Sequence, residues 1–375
     1  MLRVGIVGCG KIADTHVSQI LRVADCEIVG ACDRELLMAQ QLRDRFPVKR
    51  YFADLPALID QARPDVVHIT TPPDSHFDIA QYCLEHGCHV YVEKPFTLDF
   101  AEAQALVALA SKKALKLTVG HNYQFSHVAR RMRALVHQGY LGAPVHMECH
   151  YGYDLGDPSY ARALLGDRHH WVRQLPGRLL HNIISHGIAR IAEFLSSSDP
   201  DVIARGFVSP FLRRLGEVEI VDELRVMISD DERATAYFTF SSQMRPSVHE
   251  FRIYGTDNGL VLDQNHEILL QLRGRKFKSY ADTFIPPVML ARQYFRNLAG
   301  NAKLFLKSDF HMDSGMKYLI DLFYRSIRED GAVPIPYAEL LRTARIMDEI
   351  FAQLRDAQRT SIQDLHVASV PFDAC

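Results

Sequence analysis

The sequence predicts two successive architectures: an α/β doubly wound parallel sheet, then an α+β region in which a mostly antiparallel sheet is accompanied by helices. Three observations predict it. From Leu2 to Gly120 short β-branched runs alternate with amphipathic stretches, the pattern of βα units. The strands in this region are continuous apolar runs, as expected when helices cover both faces of a sheet. Beyond Gly120 come long segments with apolar residues at alternate positions, punctuated by turn-forming pairs, before helical periodicity returns in the last third.

In order, strands are read near 2–8, 27–33, 65–71, 88–92 and 116–120, with a weaker one near 49–52. Helices fill the gaps near 11–24, 35–46, 76–86 and 99–113, and a further helix near 126–138 ends at Gly139. Six β segments follow near 144–154, 202–209, 217–229, 233–242, 248–255 and 258–272, with Asp257-Asn258-Gly259 as a hairpin turn. Helices near 285–298, 311–328 and 337–356 close the fold. The chain therefore divides into domains at 1–121 and 122–357, with a loosely attached tail at 358–375.

Composition narrows the function classes. Among 375 residues, 43 Lys and Arg against 45 Asp and Glu leave a formal charge of −2. Such a balance supplies no global field to hold a polyanion, so neither nucleic acid nor an anionic membrane is an expected partner. The cysteines at 9, 26, 32, 83, 88, 149 and 375 fall mostly in apolar runs and read as buried thiols of a reducing compartment. No apolar run approaches the roughly 18 residues of a membrane span. A strand begins at Leu2, leaving no room for a signal peptide, and a cytoplasmic location is expected.

The first strand runs into Gly8-Cys9-Gly10-Lys11-Ile12-Ala13, a Gly-x-Gly-x-x-Ala turn that opens a helix. Glycines allow the tight turn and let backbone N–H groups approach a pyrophosphate at the positive helix end. Gly8, Cys9, Gly10, Lys11 and Ile12 are thus candidate cofactor contacts. Asp33 ends the second strand 20 residues after Ala13, where a carboxylate can accept hydrogen bonds from an adenosine ribose. Its charge repels a 2′-phosphate and favours NAD, while Arg34 beside it offers a phosphate partner and keeps NADP as the alternative.

Two later strands end in Thr70-Thr71-Pro72-Pro73-Asp74-Ser75-His76 and in Val92-Glu93-Lys94-Pro95. Both are carboxyl ends of parallel strands, the edge where ligands bind, so Thr71, Pro72, His76, Glu93 and Lys94 join the cofactor candidates. Lys94, between Glu93 and Pro95, is oddly placed for a solvated charge. Desolvation near a cationic nicotinamide would lower its pKa, letting it polarise or deprotonate a substrate hydroxyl. A surface lysine paired with Glu93 is the competing reading.

With Val119-Gly120-His121-Asn122 at the domain junction, these elements resemble the glucose-fructose oxidoreductase and inositol dehydrogenase (Gfo/Idh/MocA) family over nearly the whole chain. Glu93-Lys94-Pro95 is the most specific of them. The resemblance implies a Rossmann domain followed by an open-faced, mostly antiparallel sheet domain. It implies that Lys94 assists proton transfer while hydride passes between a sugar-like carbon and the nicotinamide, with Asn122 at the cofactor and Tyr123 at the substrate. The open sheet face implies pairing with another copy, as a homodimer or homotetramer.

The family's second signature is a glycine-rich turn opening a helix, then Asp and, four residues on, His. The matching stretch is Leu175-Pro176-Gly177-Arg178-Leu179-Leu180-His181-Asn182-Ile183-Ile184-Ser185-His186. An i, i+4 pair shares a helix face, so Asn182 and His186 can both point at substrate. The resemblance puts His186 at the acid/base position and Arg178 at the substrate; Asn182 stands where most members carry Asp, and Arg178 replaces a glycine. A neutral amide does not favour imidazolium as a carboxylate does, so His186 is expected to titrate closer to its reference value of about 6.5 than it would beside a carboxylate. Without the resemblance, a histidine in an apolar helix reads as a satisfied core residue.

Other residues carry weaker signals. His169-His170 lacks a carboxylate at ligand spacing, and no metal is expected. Trp171 and Tyr160 line a sugar or nucleotide pocket, or simply pack. Arg130, Arg131 and Arg133 read as a solvated helix face, and Gly315-Met316 as close packing. The function read from these signals is an NAD(P)-dependent oxidoreductase of a secondary alcohol or ketone on a sugar, cyclitol or nucleotide-sugar, with Lys94 and His186 moving the proton and Asn182 beside them. Elimination or glycoside cleavage through transient oxidation is the second reading. A non-catalytic nucleotide-binding sensor or scaffold is the third.

Overall fold

The computed structural model describes residues 1–155, 167, 169–231, 233–309 and 314–368. Strands β1 (Leu2–Val7), β2 (Cys26–Cys32), β3 (Tyr51–Phe52), β4 (Val66–Ile69), β5 (His89–Val92) and β6 (Leu117–Val119) form one parallel sheet in the order β3-β2-β1-β4-β5-β6. Helices α1 (Lys11–Ile20), α2 (Leu36–Arg45), α3 (His76–Glu85) and α4 (Phe100–Lys112) supply the crossovers. Every residue of β4 is buried, the physical basis of its unbroken apolar run. The strand order reverses between β1 and β4, which opens a crevice at their carboxyl ends. Two short helical turns at Leu55–Ala57 and Leu58–Ala62, which the sequence pattern did not announce, begin where Asp54 Oδ1 accepts the Ala57 N–H at 2.8 Å.

Helix α5 (His127–His137) leads into β7 (Pro144–Gly152), α6 (Arg178–Ile183), α7 (Ser185–Ala192), β8 (Asp201–Phe207), β9 (Glu223–Asp230), β10 (Ala234–Ser241), β11 (His249–Gly255), β12 (Asn258–Asp263) and β13 (Ile268–Arg273). The second sheet has the order β13-β12-β11-β7-β10-β9-β8 and is antiparallel throughout except where β7 meets β10. The segment expected near 258–272 is the β12–β13 hairpin. The strand expected from 217 begins at Glu223, because the Glu217 carboxylate instead accepts the Glu219 and Ile220 N–H groups at 2.8 and 3.1 Å and curls the chain into a turn. Ala236, Phe238 and Phe240 of β10 face the helices and join Ile183, Ile184, Ile188 and Phe251 in a second core. The opposite face is open and carries Tyr237 and Met227 beside an ionic patch in which Glu148 lies 3.8 Å from Arg252.

The last helices are α8 (Ala281–Leu306), α9 (Ser314–Arg328) and α10 (Tyr337–Ala368). Helix α9 returns to the first sheet, burying Met316, Leu319, Ile320, Phe323 and Tyr324 in the same core as Val4, Val66 and Val90. A Cβ on Gly315 would lie 2.2 Å from the Asn122 carbonyl oxygen, so the close packing read at Gly315-Met316 is a backbone contact. Of the α5 arginines Arg131 is exposed and Arg130 and Arg133 are half-buried, and all three are engaged rather than merely solvated. Arg130 stacks over Tyr318 at 3.4 Å, Arg131 donates to Asn297 at 3.1 Å, and Arg133 pairs with Glu193; each finds a partner on an element distant in sequence. The helix α10 is continuous to Ala368, past the start of the expected tail; residues 369–375, with Cys375, and Tyr160 lie outside the described residues.

Candidate active site

The glycine turn between β1 and α1 is shaped by sterics. Gly8 has φ +91°, and a Cβ there would sit 2.7 Å from the Thr71 nitrogen, so a side chain is excluded twice over. At Gly10, where α1 begins, no atom lies within 4 Å of the corresponding position. The space opens into a cleft of about 520 Å³ lined by Gly8, Gly10, Asp33, Arg34, Thr71 and Pro72. Lys11 and Ile12 are exposed at the helix start, while Cys9 is buried with its thiol pushed up to about 12, chiefly by desolvation. Asp33 Oδ2 accepts the Cys9 N–H at 2.7 Å and Oδ1 the Glu35 N–H at 2.9 Å, fixing the end of β2 against the turn. The open approach to a helix N-terminus and the carboxylate beyond it fit a dinucleotide, pyrophosphate at Gly10 and ribose at Asp33.

His76 does not face this cleft. Its ring is buried, with Nδ1 2.9 Å from the Pro95 carbonyl and Nε2 3.0 Å from the Thr71 carbonyl, so it ties the Thr71 loop to the Lys94 loop. Burial holds its pKa below the ordinary value despite both carbonyls. Thr71 is braced in turn by the Ser75 hydroxyl at 2.8 Å.

Glu93 closes a buried chain that sequence spacing could not reveal. Tyr324 OH lies 2.8 Å from His68 Nε2, His68 Nδ1 2.9 Å from His16 Nδ1, and His16 Nε2 2.8 Å from Glu93 Oε1. One assignment satisfies every member with neutral rings: Tyr324 donates to His68, His68 to His16, and His16 to the carboxylate. Burial would raise the Glu93 pKa, but the His16 hydrogen bond and the neighbouring Lys94 outweigh it and hold the carboxyl below its usual range. A histidine inside the apolar run of β4 is the one sequence signal of this chain, since a buried imidazole requires partners.

Lys94 follows at the mouth of the first sheet and crosses to the second domain. Its Nζ donates to the Asn182 carbonyl at 3.0 Å and lies 3.4 Å from Asn182 Oδ1. Desolvation lowers its pKa, with the Glu93 charge opposing. His186 stacks on Tyr123 at 4.4 Å between ring centroids and lies 6.3 Å from His121. The helix breaks at Ile184, so Asn182 closes α6 and His186 opens α7 instead of sharing one continuous helix. Burial first, then Lys94, His121, Arg190 and His249, hold the His186 pKa well below its ordinary value. Among the described residues its Nδ1 has no hydrogen-bond partner, nor has Asn122 Oδ1. Arg190 braces the pocket, donating to the Tyr123 carbonyl at 2.7 Å and to Gln264 at 2.9 Å.

Arg178 and Trp171 stand apart from this group. Arg178 donates to the Glu219 carbonyl at 2.8 Å and lines a separate surface cavity with Arg173 and Glu217, while Trp171 stacks on His170. Among the described residues no group of three or more His, Cys, Asp or Glu is arranged to hold a metal ion.

The fold and cleft define a dinucleotide-binding protein of the Rossmann class. Residues 2–121 match the model of the oxidoreductase family with an NAD-binding Rossmann fold, and residues 129–261 that of the GFO/IDH/MocA C-terminal domain. The chain belongs to the Gfo/Idh/MocA family. D-Glucoside 3-dehydrogenase of Escherichia coli is 32% identical over 142 residues, 38% of this chain and 40% of that protein. UDP-N-acetylglucosamine 3-dehydrogenase of Acidithiobacillus ferrooxidans is 31% identical over 147 residues, 39% of this chain and 44% of that protein. These alignments thus span less than half the length of either relative. The WlbA dehydrogenase from Bordetella pertussis, solved with NADH and UDP-GlcNAcA, superposes with a TM-score of 0.74 over 95% of this chain and 96% of that one, at 17% identity.

Proposed function

We propose that the protein is a dehydrogenase that moves a hydride between NAD and a secondary alcohol or ketone of a sugar, cyclitol or nucleotide-sugar, with NADP as the alternative cofactor. The observation that carries this is Lys94: a half-buried amine with a lowered pKa, aimed across the domain junction at Asn182, one residue from a carboxylate kept ionised. When bound, NAD supplies the hydride acceptor. In the oxidising direction the neutral Lys94 amine takes the hydroxyl proton as the C–H electron pair departs as hydride, leaving a ketone. The Glu93 carboxylate then steadies the ammonium. His186, neutral and with a free Nδ1, orients the same hydroxyl or passes its proton onward. Among relatives, the sugar 3-dehydrogenases support the substrate class. The open face of the second sheet is the proposed contact in a homodimer or homotetramer.

The test is a panel of sugars and nucleotide-sugars followed by absorbance of reduced nicotinamide. Net accumulation is expected; product formed without it would favour transient oxidation. Lys94→Met should lower turnover by about 10² to 10⁴ while cofactor fluorescence titration changes little. Near-normal turnover in that variant rejects the assignment.

A further inference from the structure

Helix α8 is attached inside out. Its one buried residue is Asn297. Asn297 Oδ1 accepts the Leu269 N–H at 3.3 Å and its Nδ2 donates to the Leu269 carbonyl at 3.0 Å. Gln293 does the same to the Gln271 backbone at 2.7 and 3.0 Å, and Asn301 donates to the His266 carbonyl at 3.0 Å. These amides occupy the outer edge of β13, where backbone groups would otherwise be left unpaired. The opposite side of the helix is apolar and uncovered: Phe284, Val288, Phe295, Leu298 and Phe305 are each at least 65% exposed. At 3.6 residues per turn they fall within about 100° of arc, the width of an apolar stripe normally buried.

Charge selects what covers it. Between Arg273 and Lys307 stand eight cations, Arg273, Arg275, Lys276, Lys278, Arg292, Arg296, Lys303 and Lys307, against Asp282 alone. Helical geometry sets Arg292, Arg296, Lys303 and Lys307 together along one flank of the stripe, and the other four precede the helix. Two copies joined symmetrically through this stripe would bring like charges together. An anionic lipid surface complements both features at once, taking the apolar stripe to acyl depth and the basic flank to the headgroups. No described helix is long and apolar enough to cross a membrane, so the fitting geometry is a helix lying in the interface plane.

We propose that α8 docks the protein onto anionic lipid bilayers. The experiment is co-flotation of the full chain with vesicles of phosphatidylcholine alone or mixed equally with phosphatidylglycerol, at low and high salt. Binding is expected to the mixed vesicles and to weaken with salt. The double variants Phe295→Ser/Leu298→Ser and Arg292→Gln/Arg296→Gln should each lower it by roughly tenfold or more, with cofactor binding unchanged as a folding control. Failure of the unmodified protein to float with anionic vesicles overturns the proposal. So does vesicle binding that survives both variants, and so does an apolar variant that splits a dimer in sedimentation velocity with no vesicle binding, which would assign the stripe to a second copy.

Discussion

At Asp33 a single carboxylate serves two purposes, pinning the glycine turn through the Cys9 N–H and presenting negative charge to the ribose end of the cleft. NAD should therefore bind more tightly than NADP, and Asp33→Ser should narrow or reverse the difference. Calorimetric titration of both cofactors into both proteins checks this; tighter NADP binding by the unmodified protein would mean that Arg34 sets the preference. His16 acts one step further back. Its hydrogen bond is the foremost influence lowering the Glu93 pKa, so His16→Phe should raise that pKa and move the acid limb of kcat/KM to higher pH. An unmoved limb would detach Glu93 from catalysis. The glycine turn and Glu93-Lys94-Pro95 were legible because their residues are contiguous. The chain of partners behind Glu93 was not, since His16 stands 77 residues before Glu93 and Tyr324 lies on a helix 256 residues beyond its partner His68, distances over which no local pattern carries information.

At the scale of elements, the parallel strands were legible within a residue or two because burial on both faces forces uninterrupted apolar runs. Helix packing was not. The arginines of α5 look solvated in a one-dimensional pattern, yet they reach Tyr318, Asn297 and Glu193. The seam where α5, α7 and α10 meet carries a testable cost. Glu339 accepts from Gln124 at 2.6 Å, and burial first, then the Glu193 charge, raise its pKa from 4.5 to about 7. Between those values the unfolded chain has released this proton and the folded chain retains it, so stability falls as pH rises through the window. A shift of that size amounts to about 3 kcal/mol. Glu339→Gln, which keeps an acceptor for Gln124, should leave stability unchanged near pH 4 and raise it by up to about 3 kcal/mol at pH 8, measured by urea denaturation. No gain at pH 8 would show that Glu339 is ionised at little cost.

For the whole molecule, buried histidines dominate the response to acid. His68, His76, His121, His181 and His186 all have lowered pKa values, desolvation being the first cause in each, with His121 and His181 near 4. Below about 6.5 the unfolded chain gains these protons and the folded one does not, so stability present at neutral pH is lost as pH falls. At pH 5 the loss is about 2 kcal/mol for each of His121 and His181, and these two together already outweigh the opposite trend of Glu339. The denaturation midpoint should drop between pH 7 and 5; a flat profile would mean that these rings protonate in place. Whole-chain charge averages over local differences at this scale: a balance of −2 includes the basic stretch around α8. The return of α9 to the first sheet has a consequence for biosynthesis. Residues 1–121 leave the ribosome first, but Phe323 and Tyr324, which fill their core and satisfy His68, follow some 200 residues later. At 5–20 residues per second that is a wait of roughly 10–40 s, during which the nascent nucleotide-binding half has an open apolar flank and is a natural client for chaperones.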